Sequence, residues 1–273
     1  MIVSPAHAAD CGQAFWDPAF NRRKLLMKKH LSLWMALGAA TLIAVAGPIA
    51  VAQAGDKPWV AQIGTYTYLT SPNYDGLLPI KSALNGQTLG LGTFDNLDGE
   101  LIMIGGSVYR VGTDGVPQIV DTSRTTPFFE AVKFRAESSG PVAPGTTCAN
   151  LVTLVNALAG SDDGMVAVRV RGTFTDLVTR SVPAQKAPYS PLGQVVAAQT
   201  LFPLGQRVAV LVGFRTGNDL AGTGAPGLHL HGLTADRTAG GHVISCVVGP
   251  DVQLSVQRAE GVQIFGALAD NGS

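Results

Sequence analysis

Three histidines crowd into one short segment in the C-terminal part of the chain. His229, His231 and His242 lie within fourteen residues, and the other two of the five histidines lie among the first thirty residues. On a β-strand residues i and i+2 face the same side, so His229 and His231 would share one face. The polar loop 234–241 (TADRTAGG) ends in two glycines and would return the chain, placing His242 beside His231. This segment predicts a β-hairpin that carries three imidazoles.

Three converging imidazoles are typical of a catalytic metal site, in which the remaining coordination positions are open to water or substrate. We take His229, His231 and His242 as candidate ligands of Zn²⁺, although imidazole also suits other divalent transition metals. The alternative is that one or two of them are ordinary core or surface histidines. Cys246 would lie roughly 13 Å beyond His242 on the same strand, so it is not expected to be a ligand.

Strand patterns dominate the rest of the chain. The apolar stretches 101–104 and 108–111 flank Gly105 and Gly106, which suit a two-residue hairpin turn. Further β-branched stretches of strand length are found at 165–170, 207–214 and 252–256.

Helix patterns are few. One helix is predicted around residues 151–158, started by Thr146 or Thr147 and ended by Gly160, and a weaker one at 77–84. Many strands without regular βαβ alternation favour an α+β fold with mixed or antiparallel β-sheets and few helices, in which the metal site lies on a β-hairpin.

Composition excludes two classes of protein. With 46% hydrophobic and 14% charged residues the chain is too apolar to be disordered. Its formal net charge is zero and it has no long basic run, which argues against nucleic acid as a partner.

The N-terminal region has the pattern of a targeting segment. Residues 27–54 combine a basic start, a long apolar run and a small-residue cleavage pattern at Ala52 and Ala54, as in a signal peptide. Residues 1–26 fit no such pattern, so translation is expected to start at Met27, with 1–26 a non-native leader. Cleavage would leave residues 55–273 as one exported domain, periplasmic or extracellular, with no stable membrane association. The alternative is an uncleaved membrane anchor, because 31–54 carries no charge and is long enough to span a bilayer.

Two cysteines remain after residue 54, namely Cys148 and Cys246. In an oxidising compartment they could form a disulfide, but two separate buried thiols are an equally good interpretation of the sequence.

Two motifs resemble the acetolactate decarboxylase family. They are PGLHLHGLTADRTAGGHV, which contains the three histidines, and GTFDNLDGEL at 92–101. Shorter similar stretches occur in the family's order at 126–134, 179–192 and 212–216, so the resemblance spans roughly residues 60–260.

The resemblance implies a function and a set of roles. His229, His231 and His242 would hold zinc, Glu100 would be the active-site acid or base, and Arg180 would contact the charge of the substrate, with Thr93 also at the substrate site. The implied reaction is the loss of CO2 from 2-acetolactate to give acetoin, on a small-molecule 2-hydroxy-3-oxo acid substrate, and a homodimer is suggested. Without the resemblance, Glu100 would be interpreted as a solvated turn residue and Arg180 as a surface ion-pair partner.

The chain also departs from the family pattern. The family has a further glutamate in a C-terminal tail that reaches the active site, and the residues up to Ser273 are not expected to supply it. In addition, Leu228 and Gly232 replace aromatic residues beside the histidines. A second hypothesis is therefore a metal-binding homologue on the same scaffold with weak, lost or altered decarboxylase activity. A third, an unrelated cupin-like metalloenzyme, would share the His-X-His motif but leave Glu100 and Arg180 unexplained.

Overall fold

The computed structural model describes residues 58–266, in which two seven-stranded β-sheets pack against each other. The leader expected at 1–26 and the signal peptide expected at 27–54 lie outside the described residues. The predicted α+β class, with mixed sheets and few helices, is confirmed. Within residues 58–266 no helix combines the length and apolar character needed to cross a bilayer.

The strands of the first sheet are β1 (Trp59–Ile63), β3 (Leu89–Thr93), β4 (Glu100–Ile104), β5 (Ser107–Val111), β6 (Pro117–Ile119), β8 (Phe129–Val132) and β16 (Gly261–Phe265). They follow the order β16-β1-β8-β3-β4-β5-β6, in which only the β16–β1 pair is parallel. Gly105 and Gly106, both with positive φ, form the predicted turn between β4 and β5.

The second sheet is built around one long strand. Its strands are β9 (Ser138–Pro141), β10 (Met165–Ser181), β11 (Thr200–Pro203), β12 (Arg207–Thr216), β13 (Gly227–Thr234), β14 (Gly240–Val248) and β15 (Gln253–Arg258). β10 pairs with β11 and β12 and also with β14 and β15, all antiparallel. β13 pairs with both β12 and β14, so β10, β12, β13 and β14 close a ring of four strands.

Among the residues that the structure describes, only short helical segments accompany the sheets. The α-helices are α1 (Tyr66–Thr70), α2 (Cys148–Ala159) and α3 (Leu192–Ala197), and a two-stranded ribbon pairs β2 (Leu78–Pro79) with β7 (Thr125–Thr126). α2 is the helix predicted from the sequence: Thr147 stands at its N-cap and Gly160 ends it in the left-handed conformation.

The second predicted helix, at 77–84, is wrong. This segment forms β2 followed by a single 3₁₀ turn, Ile80–Ala83. Pro79 disfavours the helical backbone conformation of the residue before it, Leu78, and this explains the difference.

The core follows from the alternation of side chains along the strands. Leu91 and Ile102 of the first sheet share one cluster with Phe214 and Leu233 of the second, so these faces meet. The opposite face of the first sheet buries Leu101 and Phe129 together with residues of the 3₁₀ turn, and the second sheet buries its own cluster under α2. Because Glu100 has the same parity as Ile102, its side chain faces the second sheet.

Cys148 and Cys246 form a disulfide, with their Cα atoms 5.0 Å apart. The bond joins the first residue of α2 to β14, and the interpretation as two separate thiols is therefore wrong for this structure. It also removes Cys246 from any ligand set.

Candidate metal centre

The three histidines of β13 and β14 come together on one face. His231 and His242 are directly opposite each other in the antiparallel pair, and His229 is two residues before His231 on the same strand. One ring nitrogen from each histidine can be chosen so that all three lie within 4.8 Å of one another. Nε2 of His229 lies 3.1 Å from Nδ1 of His242.

His231 is oriented by the first sheet. Its Nδ1 lies 2.9 Å from the backbone carbonyl oxygen of Leu101 on β4. A carbonyl only accepts, so Nδ1 carries the proton and Nε2 keeps its lone pair. Such a backbone acceptor behind the ring is the usual way in which a metal-ligating histidine is held in one tautomer.

Burial keeps the three imidazoles neutral. It lowers the pKa of His229 to about 3, an effect reinforced by the positive charge of Arg180. Burial is also the largest cause that holds the pKa values of His231 and His242 well below the usual range. Neutral imidazole is the form that binds a metal ion.

These residues fit a zinc ion. Tetrahedral zinc with bonds of about 2.0–2.1 Å to nitrogen separates its ligand nitrogens by roughly 3.3 Å, within the span of the three histidines. The Nδ1 atom of His229 is buried and has no hydrogen-bond partner among residues 58–266, and its Nε2 contacts another candidate ligand, Nδ1 of His242. Three imidazole nitrogens also match the donor set of many catalytic zinc sites.

Glu100 and Arg180 lie next to the histidines. One carboxylate oxygen of Glu100 is 3.2 Å from Nη1 of Arg180, and the other is 3.3 Å from Nε2 of His231. Arg180 on β10 is directly opposite His242 in the β10–β14 pair. The fold thus brings residues 80 positions apart in the chain into one cluster.

Neither Glu100 nor Arg180 is the exposed surface group that the sequence without the resemblance would predict. Glu100 is 6% exposed, and burial raises its pKa to about 7 although the charge of Arg180 opposes the shift. The side chain of Arg180 is 13% exposed.

Thr93 lies directly opposite Glu100 in the β3–β4 pair. Its hydroxyl donates to the carbonyl oxygen of Gly99 at 2.9 Å, and its own carbonyl accepts from the hydroxyl of Thr126. Thr93 therefore holds the backbone that leads into Glu100.

Sequence reasoning missed the ion pairs that fix the turn before Glu100. The carboxylate of Asp98 is bound by the guanidinium groups of Arg110 and Arg124, with 2.7 Å for the Arg124 contact, and Arg110 also donates to the Asp98 carbonyl oxygen. No local signal could have revealed this, because the pairing of β4 with β5 brings Arg110 to Asp98, and the segment just before β7 brings Arg124. The Leu101 carbonyl was missed because a backbone acceptor has no sequence signature.

Comparison with known proteins identifies the family. The family model for alpha-acetolactate decarboxylase matches residues 60–267. The chain belongs to this family. The resemblance found in the sequence is confirmed, and the alpha-acetolactate decarboxylases are carboxy-lyases.

Relatives cover most of the described domain. The alpha-acetolactate decarboxylase of Methanosarcina mazei is 36% identical over 67% of this chain. The match spans 64% of the length of that protein, slightly less than two thirds. The Klebsiella aerogenes alpha-acetolactate decarboxylase is 32% identical over 77% of this chain and 76% of its own. The crystal structure of alpha-acetolactate decarboxylase from Bacillus subtilis strain 168 superposes with a TM-score of 0.73 at 28% identity, covering 79% of this chain and 93% of that one.

Proposed function

We propose that this protein catalyses the metal-dependent decarboxylation of 2-acetolactate to acetoin and CO2. The observation that carries the proposal is the contact of Glu100 with both Arg180 and His231, beside three clustered imidazoles. Relatives named alpha-acetolactate decarboxylase support the choice of substrate.

The candidate metal ligands are His229, His231 and His242. A divalent ion such as zinc held there would supply Lewis-acid polarisation of the ketone and hydroxyl oxygens of a 2-hydroxy-3-oxo acid, worth several kcal/mol.

Arg180 is the candidate for holding the substrate carboxylate. Its guanidinium is always charged and can bind a carboxylate through two parallel hydrogen bonds. Its position opposite His242 would place the departing carboxylate next to the histidine cluster.

Glu100 is the candidate proton donor. When the bond to the carboxylate breaks, its electron pair stays on the carbon that carries the hydroxyl and is shared with the neighbouring ketone. Acetoin then requires one proton on that carbon. The carboxyl group of Glu100 is buried, adjacent to the histidines and held by Arg180, which suits it to deliver that proton to one face.

The test measures acetoin formation and metal content together. The purified full chain is incubated with racemic 2-acetolactate, with and without a chelator, and acetoin is followed above the spontaneous rate. We expect activity that the chelator removes and added zinc restores, and a His231→Ala protein that retains its fold but holds less than one metal per chain. A wild-type protein with one metal per chain and no acetoin above the spontaneous rate would overturn the proposal in favour of a metal-binding homologue without this activity.

We also propose that the protein is exported. The signal-like sequence at 27–54 and the Cys148–Cys246 disulfide both suit an oxidising compartment. N-terminal sequencing of the protein from its native host should give Gly55 as the first residue, and recovery of a chain that starts upstream of residue 31 would contradict cleavage.

A further inference from the structure

A second polar cluster is buried between the sheets. Gln62 on β1 and Glu130 on β8 are directly opposite in the first sheet, and both are fully buried. Thr216, at the end of β12, approaches Glu130 from the second sheet. A Cβ atom at Gly224 would lie 2.6 Å from Oε1 of Glu130 and 2.5 Å from Oγ1 of Thr216, so at most about 5 Å separates these two oxygens.

The oxygens of this cluster have no partners. Oε1 of Gln62, both carboxylate oxygens of Glu130 and Oγ1 of Thr216 are buried without a hydrogen bond within residues 58–266. The amide orientation of Gln62 is fixed, because its Nε2 donates to the carbonyl oxygens of Gly64 and Thr223 at 2.9 and 2.7 Å. Buried polar side-chain atoms are nearly always satisfied, so four neighbouring orphans indicate a group that binds oxygens.

We infer that Gln62, Glu130 and Thr216 form a binding site for a monovalent cation of the sodium or potassium type. An amide oxygen, a carboxylate and a hydroxyl make an all-oxygen donor set, which suits hard cations. A single positive charge neutralises the single carboxylate. A divalent ion would leave a net charge in a fully buried place, which is costly.

The site is separate from the histidine cluster and independent of the proposed function. Glu130 pairs with Leu91, and Leu91 pairs with Ile102, two residues from Glu100. Strand spacing places Glu130 and Glu100 roughly 12 Å apart. Zinc prefers nitrogen and sulfur ligands, so the two sites would select different ions.

The competing explanation is a protonated carboxyl group. Burial alone raises the pKa of Glu130 to about 8, with no contribution from a charged neighbour. Without a cation, Glu130 would then keep its proton in the folded protein. In the unfolded chain the same carboxyl group loses its proton above the ordinary pKa of 4.5. Stability would fall as the pH rises between these two values, because the folded state binds more protons.

The test is the thermal unfolding midpoint of the full chain near pH 8, at constant ionic strength and constant zinc content, in sodium, potassium or choline chloride. We expect a saturable rise in the midpoint with sodium or potassium relative to choline, as for any ligand of the folded state. Glu130→Gln should abolish this dependence. Neutralisation of an exposed acid on β10, Asp176→Asn, is the matched control and should keep it.

A second variant keeps the inference testable if Glu130→Gln does not fold. Thr216→Val preserves the shape of the side chain but removes one ligand, and should raise the cation concentration at half-effect about tenfold or more. A midpoint that is the same in all three salts would overturn the inference. If the wild-type midpoint also falls as the pH rises, a protonated carboxyl group is assigned to Glu130.

Discussion

At the scale of single residues, the carboxyl group of Glu100 makes two contacts that define the candidate centre. Arg180 holds one oxygen and His231 faces the other. The His231 ring is in turn fixed by the carbonyl of Leu101, the residue after Glu100. The Glu100 carboxylate and the Leu101 carbonyl therefore both reach the His231 ring from the same stretch of β4.

Glu100→Gln should separate metal binding from catalysis. The amide preserves the size of the side chain but cannot deliver a proton, so acetoin formation should fall by roughly 10²–10⁴-fold. Metal content should stay at the wild-type value, because Glu100 is not among the proposed ligands. Glu137→Gln, on the surface, should change neither quantity. Wild-type turnover by Glu100→Gln would show that the proton comes from elsewhere.

At the scale of elements, the hairpin of β13 and β14 depends on close strand contacts. A Cβ atom at Gly213 of β12 would lie 1.9 Å from the carbonyl oxygen of His229, so only glycine allows β12 to pair with β13 at this point. The backbone that carries the first histidine is thus set by its neighbouring strand.

Gly213→Ala should displace His229. Because the methyl group meets backbone and not a movable side chain, we expect a loss of about 1–3 kcal/mol in the free energy of unfolding and a reduced metal content per chain. Gly193→Ala in α3, where the added Cβ meets open space, is the control and should leave metal content unchanged. An unaltered metal affinity in Gly213→Ala would mean that the hairpin holds its histidines without β12.

The turn before β4 provides a prediction on pH. Burial opposes ionisation of Asp98, but hydrogen bonds from Arg110 and Arg124 outweigh it and lower the pKa of this carboxyl. The stabilisation from ionised Asp98 is therefore present above the unfolded pKa of 3.8. It is lost as the pH falls through the pKa of Asp98 in the folded protein, which is lower. Asp98→Asn should reduce the free energy of unfolding in urea by on the order of 1 kcal/mol at neutral pH. The difference from wild type should shrink as the pH approaches 3, and a difference independent of pH would contradict the assignment.

At the scale of the whole molecule, two sheets enclose the centre from opposite sides. The first sheet supplies Glu100 and the Leu101 carbonyl, and the second supplies the histidines and Arg180. Neither sheet carries a complete set, so the centre depends on the packing of the apolar cluster between them.

The disulfide should contribute to the stability of this packing. Cys148 and Cys246 are 98 positions apart, and closing a loop of this length stabilises the folded state by about 2–5 kcal/mol. The double variant Cys148→Ala, Cys246→Ala should lose this amount in denaturant unfolding. A reducing agent should have the same effect on the wild type and none on the double variant. Equal stability of the double variant and the oxidised wild type would contradict the expectation.

Several features were predictable from local pattern alone. The period of two places His229 and His231 on one face, the glycine pair returns the chain between β4 and β5, and apolar spacing with Gly160 defines α2. β10 was only partly predicted: the sequence indicated a strand at 165–170, whereas it continues to Ser181. Arg171, Gly172 and Asp176 interrupt its apolar pattern, and pairing along both edges overrides that local preference.

The sequence by itself determined which residues alternate, turn and share a face, because these properties depend on spacing along the chain. It also carried the family motifs that singled out Glu100 and Arg180. Only the tertiary structure decided that Glu100 and Arg180 meet, that Cys148 and Cys246 bond, and that the oxygens of Gln62, Glu130 and Thr216 are buried together. Those contacts join residues far apart in the chain, and their burial and partners depend on how the two sheets pack.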